Sequence, residues 1–111
     1  MISNQTTKQA VDKIVAVASP RKVILFGSYA HGAATEDSDL DIMVVEPEVA
    51  NAGAETARLR KAIGSIGGRV DVVVYSEFEF ERRKNWCTTP VYWALREGKL
   101  LYDAEKPSAS H

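Results

Sequence analysis

The residues whose types and spacing could do chemistry are Gly27-Ser28, then Asp39-Leu40-Asp41 after ten intervening residues, and finally Asp71. In an extended strand, residues two apart point to one face, so Asp39 and Asp41 aim together while Leu40, Ile42 and Val44 face the other way. At strand rise their Cα atoms would lie about 7 Å apart, close enough for both carboxylates to reach cations roughly 4 Å from each other. Magnesium suits such a pair, being a hard cation that takes oxygen ligands and keeps water or phosphate oxygens in its shell. Gly27 would permit close backbone approach, and Ser28 offers a hydroxyl and an N–H at an expected helix start, a favourable place for phosphate. Asp71 is the odd residue within Val70-Asp71-Val72-Val73-Val74-Tyr75, where a buried lone carboxylate would be costly. Three converging carboxylates would raise one another's pKa, so the cluster makes physical sense mainly as a cation site.

The surrounding pattern must supply elements that bring these positions together. Val11, Ile14, Val15 and Ala18 recur at helical spacing, predicting a helix from Gln9 to Ala18 with Ser3, Thr6 and Thr7 available as caps and Pro20 as its stop. Val23 to Phe26 reads as a buried strand, Leu40 to Val45 as a second ended by Pro47, and Val70 to Tyr75 as a third. Leu59, Ala62, Ile63 and Ile66 predict a helix over Glu55 to Ile66, with Gly67-Gly68 as its stop. Ser76 can cap a helix through Phe80 and Arg83, Thr89-Pro90 opens another that Gly98 closes, and Lys99 to Tyr102 reads as a small edge strand. The eleven residues Ser28 to Ser38 are near the lower limit for a parallel crossover, so the first two strands are expected to be antiparallel, placing Gly27 at the same sheet end as Asp39. The helix before Asp71 leaves chain enough for a parallel crossover, which carries Asp71 to that same end. The expectation is a single α/β domain over residues 1–103, a mixed sheet flanked by helices, with a disordered polar tail over 104–111.

The 111 residues are 45% hydrophobic and 26% charged, the profile of one globular domain with a modest core. A formal net charge of -1 lacks the broad basic footprint of a general nucleic-acid binder. The single cysteine, Cys87, rules out an internal disulfide framework. No apolar run approaches membrane-spanning length, and no basic-then-apolar leader opens the chain, so a cytoplasmic protein without membrane association is expected.

The frame Phe26-Gly27-Ser28-Tyr29-Ala30-His31-Gly32 with Asp37-Ser38-Asp39-Leu40-Asp41 resembles the signature of the DNA polymerase beta superfamily of nucleotidyltransferases. The short length and the closing Arg96-Glu97-Gly98-Lys99-Leu100-Leu101-Tyr102 are similar to its minimal branch, called MNT. The resemblance implies a polymerase beta palm-like fold. It also implies an antitoxin encoded beside a HEPN-family ribonuclease toxin, since some members of the branch transfer AMP from ATP onto a toxin tyrosine. Carried over by position, it implies that Asp39 and Asp41 bind two magnesium ions, that Asp71 completes one shell and accepts the proton of the attacking hydroxyl, and that Gly27 and Ser28 hold phosphates. Family members often have arginine where this chain has His31, so a permanent cation facing the triphosphate is replaced by a group mostly neutral at pH 7.

Three functions are therefore open. The first is an enzyme that nucleotidylates a HEPN toxin. The second is an antitoxin that neutralises its toxin by binding, with a weak nucleotide site. The third is a small nucleotidyltransferase acting on RNA or a metabolite, which the near-neutral charge disfavours. Self-association is compatible with each. Arg58-Leu59-Arg60-Lys61 and Arg82-Arg83-Lys84 read as solvated helical faces. Trp86, Tyr92 and Trp93 read as core or partner-interface anchors, and Cys87 as an inert buried thiol.

Overall fold

A computed structural model of the chain describes residues 2–105. The element order is α1 (Asn4–Ala18), β1 (Lys22–Phe26), β2 (Leu40–Glu46), α2 (Ala52–Ile63), β3 (Val70–Ser76), α3 (Glu77–Arg83), α4 (Pro90–Glu97) and β4 (Lys99–Asp103). The four strands form one mixed sheet in the order β3-β2-β1-β4. Antiparallel pairing joins β1 to β2 and parallel pairing joins β2 to β3, as the connection lengths required, and β4 adds antiparallel to the other side of β1.

Alternation along the strands divides the interior into two layers. Leu40, Ile42 and Val44 of β2 join Val23, Leu25, Val72 and Val74 against α1 and α2, through Ala10, Val11, Ile14, Leu59 and Ile63. On the other face Ile24, Met43 and Val45 pack against Phe80 of α3 and Val91 and Ala94 of α4. Removing a side chain of this size from water contributes about 1.5–3 kcal/mol, so the fully buried Ile14, Leu59 and Phe80 supply much of what holds their helices down.

The caps explain the boundaries. Ser3 accepts from the Thr6 N–H, Asn51 from Ala54, Ser76 from Glu79 and Thr89 from Tyr92, satisfying amide groups that a helix start leaves without partners. The first helix therefore begins at Asn4, five residues before the expected start at Gln9. The second ends at Ile63 because Gly64, with φ of 71°, turns the chain while its N–H bonds to the Arg60 carbonyl. Ile66 and Gly67-Gly68, expected as the end of that helix, lie in the connection that follows. Ala104 and Glu105 are not tail: they form a turn in which the Ala104 N–H bonds to the Arg21 carbonyl at 2.9 Å. The remainder of the expected tail, 106–111, lies outside the described residues.

Candidate active site

Strand register builds the site. Phe26 at the end of β1 is paired with Asp41, and Asp41 is paired with Asp71 across the parallel β2–β3 ladder. Asp41 therefore sits between the exit of β1 and the third aspartate, on the face that Met43 and Val45 bury further along. Gly27, the next residue after Phe26, has φ of 76° and packs against Asp41 so closely that a Cβ there would collide with the Asp41 carboxylate. Both the left-handed backbone and the close approach require glycine.

Beyond Gly27 the chain turns. The Ala30 N–H bonds to the Gly27 carbonyl at 3.0 Å, and the His31 and Ala33 N–H groups both bond to the Ser28 carbonyl, at 3.2 and 3.0 Å. Ser28 was expected at a helix start, but residues 28–32 are turns. The glycines Gly27 and Gly32, both at positive φ, bracket a stretch too short and too tightly turned to propagate a helix.

Asp39 lies immediately before β2, and its side chain is 42% exposed. Asp71 occupies the edge strand β3 with its side chain 53% exposed, so its apolar neighbours in sequence do not bury it. Each is held by an arginine. The Nε of Arg69 lies 2.8 Å from Oδ1 of Asp39, and Nη2 of Arg60 lies 3.5 Å from Oδ1 of Asp71. Asp39, Asp71 and both arginines line an open cleft of about 540 Å³, together with Ile63, Gly64, Gly68 and Val70.

Electrostatics ties the three carboxylates into one site. Burial pushes the Asp41 carboxyl above the ordinary aspartate range, and the charges of Asp71 and then Asp39 push it further. Oδ1 of Asp39 is withdrawn from solvent and takes no hydrogen bond, its Arg69 contact being an ion pair without hydrogen-bond alignment. A carboxylate oxygen with spare lone pairs and a neighbouring carboxylate strained by like charge are a donor set that fits a hard divalent cation. The set is not closed around one, however: among the described residues no three His, Cys, Asp or Glu side chains are gathered as a metal cage.

His31 borders a separate cleft of about 200 Å³ with Phe26, Gly27, Trp93, Ala94, Glu97 and Gly98. Its Nε2 lies 3.6 Å from Oε1 of Glu97, an ion pair when the imidazole is protonated. His31 thus shares the Gly27 end of the sheet and leans on α4.

Sequence reasoning missed Arg60 and Arg69. Arg60 was read as part of a solvated helical face, yet it is one helical turn before Gly64 and so overhangs the start of β3. Arg69 directly precedes β3, and the parallel pairing of β3 with β2 brings it beside Asp39; only the alignment of the two strand starts could have signalled this. Cys87 is exposed rather than buried. Trp86 and Trp93 are each half exposed, so they are surface residues and not core. Trp93 is fixed by a 2.8 Å bond from its Nε1 to the Cys87 carbonyl, and Tyr92 lies under Arg96.

Comparison with known proteins agrees with this geometry. Residues 6–91 match the model of the nucleotidyltransferase domain family. A candidate protein adenylyltransferase of Methanocaldococcus jannaschii is 35% identical over 82 residues, covering 74% of this chain and 78% of its own length. A crystal structure of a candidate nucleotidyltransferase from Sulfolobus solfataricus superposes with a TM-score of 0.63 at 24% identity, over 93% of this chain and 82% of that one. A toxin-antitoxin crystallised with AMP-PNP superposes at 0.58 with 22% identity, covering 89% of this chain and 75% of its own. A mutant of the toxin-antitoxin MntA-HpeT superposes at 0.62 with 19% identity and the same coverage.

Proposed function

The chain belongs to the nucleotidyltransferase domain family and is a nucleotidyltransferase, and from that premise we propose that it transfers AMP from ATP to a hydroxyl of a partner HEPN toxin, acting as an antitoxin. A toxin tyrosine is the proposed acceptor. The observation that carries the reading is the register of Asp41 with Phe26 on one side and Asp71 on the other, which joins the Gly27 turn and the three carboxylates at one sheet end. The adenylyltransferase relative and the toxin-antitoxin neighbours support the choice of donor and partner.

In this reading residues 1–103 form one minimal domain, Gly27 and Ser28 hold the β and γ phosphates, and His31 stands beside them. Asp39 and Asp41 would hold two magnesium ions, with Asp71 completing one shell, and the bound metal would supply charge neutralisation at the phosphate oxygens. The acceptor oxygen forms its bond to the α-phosphorus in line with the bridging oxygen, whose bond breaks as pyrophosphate leaves. Asp71 accepts the hydroxyl proton. Its exposure on an edge strand leaves it open to an acceptor presented by another protein.

The test is to combine the protein with the product of the neighbouring gene, labelled ATP and magnesium. Label is expected on a tyrosine of the partner and should disappear with Asp39→Asn and Asp41→Asn together. An unlabelled partner in a complex that forms would overturn the reading. A second reading, neutralisation by binding alone, is favoured by the engagement of His31 with Glu97 and of two aspartates with arginines. It is established if the double asparagine variant still neutralises the toxin while transferring nothing. Label on RNA in the same assay would point instead to a nucleic-acid acceptor.

A further inference from the structure

We propose that Arg69 and Arg60 are placeholder cations: they hold Asp39 and Asp71 in the metal-free protein and must hand these carboxylates over when a divalent cation binds. The inference rests on the proposed cation role of the aspartates and concerns how that site is kept in readiness.

Three observations carry it. First, two of the three carboxylates at this sheet end are not free: Arg69 Nε is 2.8 Å from Asp39 and Arg60 Nη2 is 3.5 Å from Asp71. Second, each arginine is anchored by a backbone carbonyl close to the aspartate it holds. Arg69 Nη2 donates to the Asp37 carbonyl at 3.1 Å, and Arg60 Nη2 donates to the Val70 carbonyl at 3.2 Å. The guanidinium groups are therefore directed to these positions by the fold and are not loose surface charges. Third, Oδ1 of Asp39 is out of solvent with no hydrogen bond, so its charge is compensated by Arg69 at short range and little else.

Removing Arg69 would leave that oxygen poorly compensated, a cost that a divalent cation can relieve. A guanidinium and a metal ion compete for the same carboxylate lone pairs. Both arginines open onto the 540 Å³ cleft, which gives them room to swing aside. Once released they add two positive charges to its wall.

The measurement is Mn²⁺ affinity without nucleotide, followed by the electron paramagnetic resonance signal of free Mn²⁺, with circular dichroism verifying the fold of each variant. Arg69→Gln should tighten Mn²⁺ binding by about two- to fivefold, the range expected on removing an exposed competing ion pair. Arg60→Gln should tighten it less, its pair being longer, and Arg69→Lys, which keeps a cation but not the fork between Asp39 and the Asp37 carbonyl, should fall between wild type and Arg69→Gln. Affinity unchanged or weakened in Arg69→Gln, with Asp41→Asn losing Mn²⁺, would overturn the exchange alone. Asp41→Asn binding Mn²⁺ as well as wild type would overturn the cation role of the cluster and the exchange with it.

Discussion

At Asp41, fold stability and the proposed chemistry pull in opposite directions. Burial first, and then the charges of Asp71 and Asp39, raise its carboxyl above the aspartate range, so the ionised form is less welcome in the folded chain than in the unfolded one. A raised folded-state pKa contributes stability below the unfolded value and loses it as pH rises through the folded value, so at pH 7 the Asp41 charge destabilises. Asp41→Asn should therefore raise Tm by about 2–4 °C in a thermal melt at pH 7 while lowering nucleotidyl transfer at least about 100-fold. A variant that loses both stability and activity would contradict this account. Gly27→Ala attacks the same contact from the other side. It forces a side chain onto a φ of 76° and into the Asp41 carboxylate, and should cost about 1–3 kcal/mol in urea unfolding together with most of the activity. The glycine and the aspartates were legible as a spaced pattern, but the contact between Gly27 and Asp41 was not, because it depends on the pairing of β1 with β2.

At the scale of elements, β2 carries charge at both ends. Asp41 marks the site end, and Glu46 marks the other, where the strand meets the start of α2. Glu46 is 5% exposed, and its carboxyl is pushed up to about 7, chiefly by burial and by the neighbouring Glu55 carboxyl, against an opposing pull from Arg58. Glu55, which Arg58 clasps with hydrogen bonds of 2.6 and 2.8 Å, is held below the usual range. Here the Glu46 contribution is fully present below its unfolded value of 4.5 and fades as pH rises through about 7. The Glu55 contribution has the opposite sign and is lost only as pH falls below the ordinary glutamate range. Stability should thus peak in mildly acid solution and decline toward pH 8. Glu46→Gln should remove most of that decline and stabilise the protein at pH 8 by about 1–2 kcal/mol, as read by urea titrations at pH 5 and pH 8. Equal slopes for the two proteins would show that burial does not hold the Glu46 proton into this pH range. Nothing in the local pattern singled out Glu46, since its burial follows from α2 folding back over the end of β2.

For the whole molecule, the formal net charge of -1 bears on which acceptor is handled. Without a broad basic surface there is little counterion release to drive RNA association, so a short single-stranded RNA should bind no tighter than about 10⁻⁴ M in 150 mM salt, by fluorescence anisotropy. Micromolar binding would reopen the nucleic-acid reading. By itself the sequence determined the mixed sheet and the pairing directions of its first three strands, and it carries the spaced pattern Gly27-Ser28, Asp39-Leu40-Asp41 and Asp71. Short-range rules suffice for these: side-chain alternation, caps, glycine stops and the length of a connection. Only the tertiary structure decided that Asp71 lies exposed on an edge strand, that His31 leans on Glu97, that residues 28–32 turn instead of opening a helix, and that Arg60 and Arg69 occupy the carboxylates. Those facts depend on which strand takes the edge and on how one strand start lines up with the next, and such relations between distant segments leave no periodicity in the chain.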